Sequence, residues 1–116
     1  MKVLALIYGD ETRWATASED DRNAMLARYL AFNESADGKI LDGAQLAPTR
    51  SATTVRVRDG ETVVTDGPFA ETKEQLGGFY LFEVESLDEA AELAAEIPGA
   101  AHGAIELRAG HQEDSE

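Results

Sequence analysis

Thr65-Asp66-Gly67-Pro68-Phe69-Ala70-Glu71-Thr72-Lys73-Glu74-Gln75-Leu76-Gly77-Gly78-Phe79-Tyr80 carries the chain from a β-branched hairpin, through a Gly/Pro turn and a short charged segment, into its most apolar strand. Upstream, Thr53 to Arg58 and Thr62 to Thr65 flank Asp59-Gly60-Glu61, a hairpin signal because an Asp-Gly pair tolerates the positive φ values of a tight reversal. Val55 and Val57 alternate with Arg56 and Arg58, so one hairpin face is expected to meet apolar surface and the other to hold its guanidinium groups in solvent or a polar cleft. Downstream, Phe79 to Val84 puts Tyr80, Phe82 and Val84 on one face and Phe79 and Leu81 on the other. Both faces of that strand want cover.

Working outward, Val3 to Tyr8 is a continuous apolar run of strand length closed by Gly9-Asp10, the pattern of a central strand. Ser18 with Asp21 signals a helix start, and Met25, Tyr29 and Phe32, joined by Leu26 and Leu30, form a stripe at helical spacing that ends near Asp37-Gly38. Trp14, just ahead, reads as a packing plug rather than a ligand platform. Ile40 to Leu46 is a strand interrupted at Gly43, where a bulge or close backbone approach is expected, and Pro48 ends it. Ser86 and Glu89 make a capping box for a helix with Leu87, Ala90, Ala91, Ala94 and Ile97 on one side, stopped by Pro98-Gly99. Gly103 to Arg108 alternates as a last strand. With the hairpin set aside, the order is βαββαβ. The expectation is an α+β fold, ferredoxin-like, with an inserted β-hairpin and two helices on one sheet face. The other sheet face then needs a second copy, giving a homodimer as a dimeric α+β barrel.

The 116 residues suit one domain, expected at 1–109, with an acidic, disordered tail at 110–116. Ten basic against twenty-three acidic residues give a formal net charge of −13, the wrong sign for binding phosphate backbones or anionic membranes. No cysteine is present, which removes disulfides, thiolate nucleophiles and Cys-based metal sites and fits a cytoplasmic setting. The apolar N-terminal run is too short for a signal peptide or a membrane span. With that net charge nucleic acid is not an expected partner, and Gly77-Gly78 lacks the strand-to-helix setting of a nucleotide fingerprint, so no nucleotide or other cofactor is expected.

The tetrapeptide Asp66-Gly67-Pro68-Phe69, with Tyr8-Gly9-Asp10-Glu11, Thr53-Thr54-Val55-Arg56, Ser86-Leu87-Asp88-Glu89-Ala90 and Ile105-Glu106-Leu107-Arg108, resembles the YCII-related superfamily, in the branch named for that tetrapeptide. The resemblance spans roughly residues 1 to 109. It implies the same fold and dimer, and a genomic association with extracytoplasmic-function sigma factors. The better-studied branch pairs a His on the first helix with an Asp before a Pro at the end of the second. Here Met25 and Ile97 stand at those positions, and neither can move a proton, so that mechanism does not carry over.

Other polar residues remain as candidates. His102 is the one histidine inside the domain, a proton shuttle or else a surface loop residue; His111 lies in the tail. These two make no metal site. Asp66 either caps its turn by accepting from a backbone N–H or points into a cleft as a base. Glu71 and Lys73 could pair beside it, and Phe69 is expected to staple the loop to the core. Tyr8 and Tyr80 are strand aromatics, lining a pocket or packing the core. Three functions follow: a small-molecule binder; a lyase or isomerase using Asp66, His102 and a tyrosine; or an interaction module for a sigma factor.

Overall fold

The N-terminal apolar run forms β1, Lys2–Gly9, at the centre of the computed structural model, which describes residues 1–111. There follow α1 (Glu11–Thr16), α2 (Glu19–Ser35), β2 (Ile40–Gln45), the hairpin β3 (Thr53–Arg58) and β4 (Glu61–Asp66), β5 (Gln75–Glu83), α3 (Leu87–Ala94) and β6 (Ala104–Ala109). Four strands pair antiparallel in the order β2-β5-β1-β6, while β3 and β4 form a separate two-stranded ribbon. That strand order, with helices after β1 and β5, is the ferredoxin-like arrangement expected from the sequence.

Period-two alternation in β1 and β5 divides the sheet into two unlike faces. Val3 pairs with Phe82, Ala5 with Tyr80 and Leu107. These residues face α2 and α3, where Val3, Ala5 and Phe82 are fully buried with Phe32, Ala36, Leu93, Ala94 and Ile97. Burying Phe82 alone is worth about 2–3 kcal/mol. Ser18 and Ser86 cap the two helices by accepting from Asp21 N–H and Glu89 N–H. The other face carries Leu4, Leu6, Phe79 and Leu81, all half-buried, with no helix over them among the described residues.

Several expectations change. Helix α1 was not foreseen: Asp10 caps it by accepting from the N–H (2.9 Å) and hydroxyl (2.6 Å) of Thr12, bonds that hold the Asp10 carboxyl below its usual range. Its last carbonyls, of Trp14 and Ala15, accept from the Arg22 guanidinium. Trp14 is no plug; it lies at the surface with that guanidinium 5.6 Å from its ring centroid. Strand β5 begins at Gln75 rather than Phe79, because Gly77 and Gly78 lie inside it. In α2 Leu26 and Leu30 face outward, 45% and 64% exposed, since Phe32 and Tyr29 already fill the sheet side. In α3 Leu93 is buried in place of Ala91.

The hairpin turn is as expected, with Asp59 and Gly60 both at positive φ between the paired residues Arg58 and Glu61. Its valines are not. Val55, Val57 and Val64 are 61%, 62% and 60% exposed, because the ribbon projects from the sheet instead of lying on it. The molecule accordingly measures 51 × 47 × 20 Å, with a radius of gyration of 16.4 Å; about 13 Å is usual for a compact chain of this length. Of the tail expected to be disordered, 110–116, residues 112–116 lie outside the described residues, while Gly110 donates to the Lys2 carbonyl at 3.0 Å.

Candidate functional site

At the C-terminal end of β1 the register with β5 shifts: Ile7 faces Gly78, while Tyr8 faces Leu76 and skips Gly77. A bulge of this kind re-aims the side chains beside it. On the other flank Tyr8 pairs with Ala104 of β6, and the chain enters β6 through Gly103. A Cβ on Gly103 would fall 2.0 Å from the Tyr8 carbonyl oxygen, so only glycine admits so close an approach.

Tyr8, Glu74, Ala104, Ile105 and Glu106 together line an open cleft of about 440 Å³. Glu106 lies on the helix-free face, opposite Leu6, and its carboxylate is held by Arg108 at 2.8 Å. The cleft thus offers one phenol and two carboxylates beside an apolar shelf of Leu4, Leu6, Phe79 and Leu81. Carboxylates accept hydrogen bonds and repel anions, and the phenol can donate or accept.

A second polar node lies next to it. The Glu11 carboxylate accepts from the Thr49 N–H (3.1 Å) and hydroxyl (2.6 Å), while the Glu11 N–H donates to Gln75 Oε1 (3.0 Å). Gln75 Nε2 in turn donates to the Thr72 carbonyl at 2.7 Å. These bonds join α1, the single helical turn Thr49–Ser51, the loop after β4 and the start of β5, fixing the root of the ribbon beside Tyr8.

Of the residues singled out from the sequence, Tyr8 alone lines the cleft. Tyr80 is on the opposite face, 5.2 Å from the Phe32 ring centroid, with its hydroxyl donating to Asn33 Oδ1 at 2.7 Å. Burial, then the nearby Tyr29, pushes its pKa up to about 12. Asp66 ends β4, exposed, and among the described residues its carboxylate accepts no hydrogen bond; the turn is held instead by Gly67 N–H on the Ala52 carbonyl (2.6 Å) and Thr54 hydroxyl on the Gly67 carbonyl (2.7 Å). The turn-capping role expected for Asp66 is therefore absent. His102 follows the turn Pro98–Ala101, with its Nδ1 3.2 Å from Arg13 Nη2. Phe69 is 79% exposed and staples nothing. Glu71 and Lys73 are exposed in an irregular loop, and no ion pair joins them among the described residues. Met25 is half-buried and Ile97 fully packed in the core, so both positions compared above with a His/Asp dyad are occupied by packing side chains.

Sequence reasoning missed Glu74 and Glu106. Glu106 was within reach, because alternation along Ile105-Glu106-Leu107 places it on the face of Leu6 once β6 is paired with β1. Glu74 carried no local signal.

A family model described as the YCII-related domain matches residues 1–109. A protein of Rhizobium meliloti (strain 1021), described as uncharacterized protein R00369, is 40% identical over 117 residues, covering 93% of this chain and 90% of that one. Among solved structures, the chain is similar to 5-chloro-2-hydroxyhydroquinone dehydrochlorinase from Burkholderia phenoliruptrix AC1100, in complex with 2,5-dihydroxybenzoquinone: the TM-score is 0.59 at 19% identity, over 99% of this chain and 98% of that one. At that identity the likeness concerns the fold.

Proposed function

Because the chain belongs to the YCII-related family, we propose that it is a homodimeric, cytoplasmic protein that binds a small organic molecule in the Tyr8 cleft. The observation that carries this reading is the meeting of a phenol and two carboxylates with an uncovered apolar sheet face. The ligand this chemistry favours is uncharged, with a flat apolar body and hydroxyls that donate to Glu74 and Glu106; an anion is disfavoured by Glu74, which has no ion pair among the described residues, whereas Arg108 offsets the charge of Glu106. The homodimer is supported by that same uncovered face, and the cytoplasmic setting by the cysteine-free sequence.

Catechol, resorcinol and benzoate at millimolar concentration are suitable probes, because ligand bound to the folded state raises the melting temperature. The two neutral diols are expected to raise it, benzoate to leave it unchanged, and Tyr8→Phe or Glu106→Gln to abolish the response. Equal stabilisation by benzoate, or none by either diol, would refute the reading.

A second reading, lyase or isomerase-type proton transfer, is favoured by the same grouping, since a carboxylate beside a phenol is an acid-base pair. It moves the chemistry from Asp66 and His102 to Tyr8, Glu74 and Glu106. The structural neighbour is a dehydrochlorinase, so chloride release from 5-chloro-2-hydroxyhydroquinone is the direct assay. Release that disappears in Glu106→Gln supports catalysis; no release leaves binding as the function.

A further inference from the structure

The chain leaves two apolar surfaces uncovered, and they are of different kinds. One is the sheet face with Leu4, Leu6, Phe79 and Leu81. The other is one side of the β3-β4 ribbon: Val55 faces Val64 and Val57 faces Thr62, so the three most exposed valines share that side. The pairing of Thr53 with Asp66 places Asp66 on it as well. A two-stranded ribbon standing alone is at best marginally stable in water. Among the described residues this one is fixed at its root, by Glu11 through Thr49 and by the bonds around Gly67, while its valine side meets none of its own chain's core.

We propose that in the dimer each ribbon lies over the other copy's open sheet face, valine side inward, and carries its Asp66 to the other copy's Tyr8 cleft. The inference rests on the dimer proposed above and adds to it that the site is incomplete in one chain. Three observations carry it. First, the two uncovered surfaces are complementary in kind, a narrow valine strip and a broad leucine-phenylalanine shelf, and a two-fold axis pairs strip with shelf twice. Second, the accessible surface is 8306 Å², whereas a compact chain of 12.5 kDa exposes about 6,200 Å². The difference is well above the roughly 800 Å² per partner that a stable interface needs. Third, the Asp66 carboxylate has no hydrogen-bond partner of its own among the described residues, although it stands at the anchored end of the strip. In the arrangement proposed it becomes a third acceptor for the hydroxyls of a bound diol, supplied by the neighbouring chain.

The absence of native cysteine makes the arrangement directly measurable. Chains carrying Val57→Cys are mixed with chains of different length carrying Leu4→Cys, Phe79→Cys or Leu81→Cys in turn, and treated with a short bis-maleimide. Any product of intermediate size is then a link between two copies. A link to at least one of the three sheet positions is expected, as is a link between Asp66→Cys and Tyr8→Cys chains. Val57→Cys and Asp66→Cys alter exposed residues, and sedimentation of each single variant shows whether it still dimerises. Dimers that give no mixed ribbon-to-sheet link overturn the inference and leave the dimer standing; monomers overturn both. Ribbon-to-sheet links without the Asp66-to-Tyr8 link would remove the shared site alone.

Discussion

Tyr80 shows how the face a residue occupies decides its chemistry. It lies one strand away from Tyr8, yet its ring is sandwiched between Phe32 and Phe82, with centroids 5.2 and 5.8 Å away. Burial raises its pKa from 10.0 to about 12. Between these values the unfolded chain gives up the phenolic proton while the folded chain keeps it. The corresponding stability is therefore fully present below pH 10 and is lost as the pH rises towards 12. For a fully buried group this would be worth roughly 2.7 kcal/mol; for half-buried Tyr80, screened by solvent, about 1 kcal/mol is expected. Absorbance titration of the tyrosines should show a late component near pH 12 that vanishes in Tyr80→Phe. Its persistence in that variant would assign it elsewhere. Gly103→Ala is a harsher test of the site: with its Cβ 2.0 Å from the Tyr8 carbonyl, the end of β1 and the start of β6 must part. Overpacking of this kind costs about 1–3 kcal/mol. A melting temperature lower by roughly 4–8 °C per kcal/mol should result, together with a weakened response to catechol. An unchanged protein would mean that the strands separate freely there.

The elements differ in how legible they were. Strands β1 and β5 and the caps at Ser18 and Ser86 could be read directly, because a buried strand is a run of apolar residues and a capping side chain must sit at a fixed offset from the N–H it serves. Helix α1 could not be foreseen, since its six residues bury none of their side chains and it exists through Asp10 at one end and Arg22 at the other. The ribbon was legible as a hairpin, but local alternation cannot say whether a valine face meets its own sheet or another chain. The site suffered most for the same reason: Glu74 and Glu106 reach Tyr8 only through strand pairing, whereas Asp66 and His102 stood out by residue type alone. Glu11 is a further case, a surface-looking acidic residue that anchors an element remote in sequence. Glu11→Ala strands the two Thr49 donors and should cost about 1–3 kcal/mol. It should also speed amide hydrogen exchange across Thr53–Asp66 more than across β1, and uniform exchange would deny Glu11 its anchoring role. Gly67→Val should loosen the same root from the other side, because φ is +96° there and a β-branched residue is strained at that angle; an unaltered melting temperature would show the turn tolerates it.

At the scale of the whole molecule, the flat shape, with a four-stranded sheet covered on one side and a ribbon covered on neither among the described residues, is what motivates the proposed dimer. Two forces then oppose each other in the proposed dimer. Apolar burial drives association and is insensitive to moderate salt, while each protomer brings a formal charge of −13 that resists it. Salt shortens the reach of that repulsion, from about 30 Å at 0.01 M to about 8 Å at 0.15 M. Sodium chloride should therefore strengthen the dimer, lowering its dissociation constant in sedimentation equilibrium between these concentrations. The melting temperature should also rise with protein concentration, because association stabilises the folded chain by mass action. The sign of the salt effect separates two kinds of interface. Were the copies held chiefly by ion pairs, with Arg56 and Arg58 of the ribbon meeting the acidic rim of the cleft, added salt would dissociate them. A dimer that tightens with salt places the valine side of the ribbon inward and leaves those guanidinium groups to the solvent.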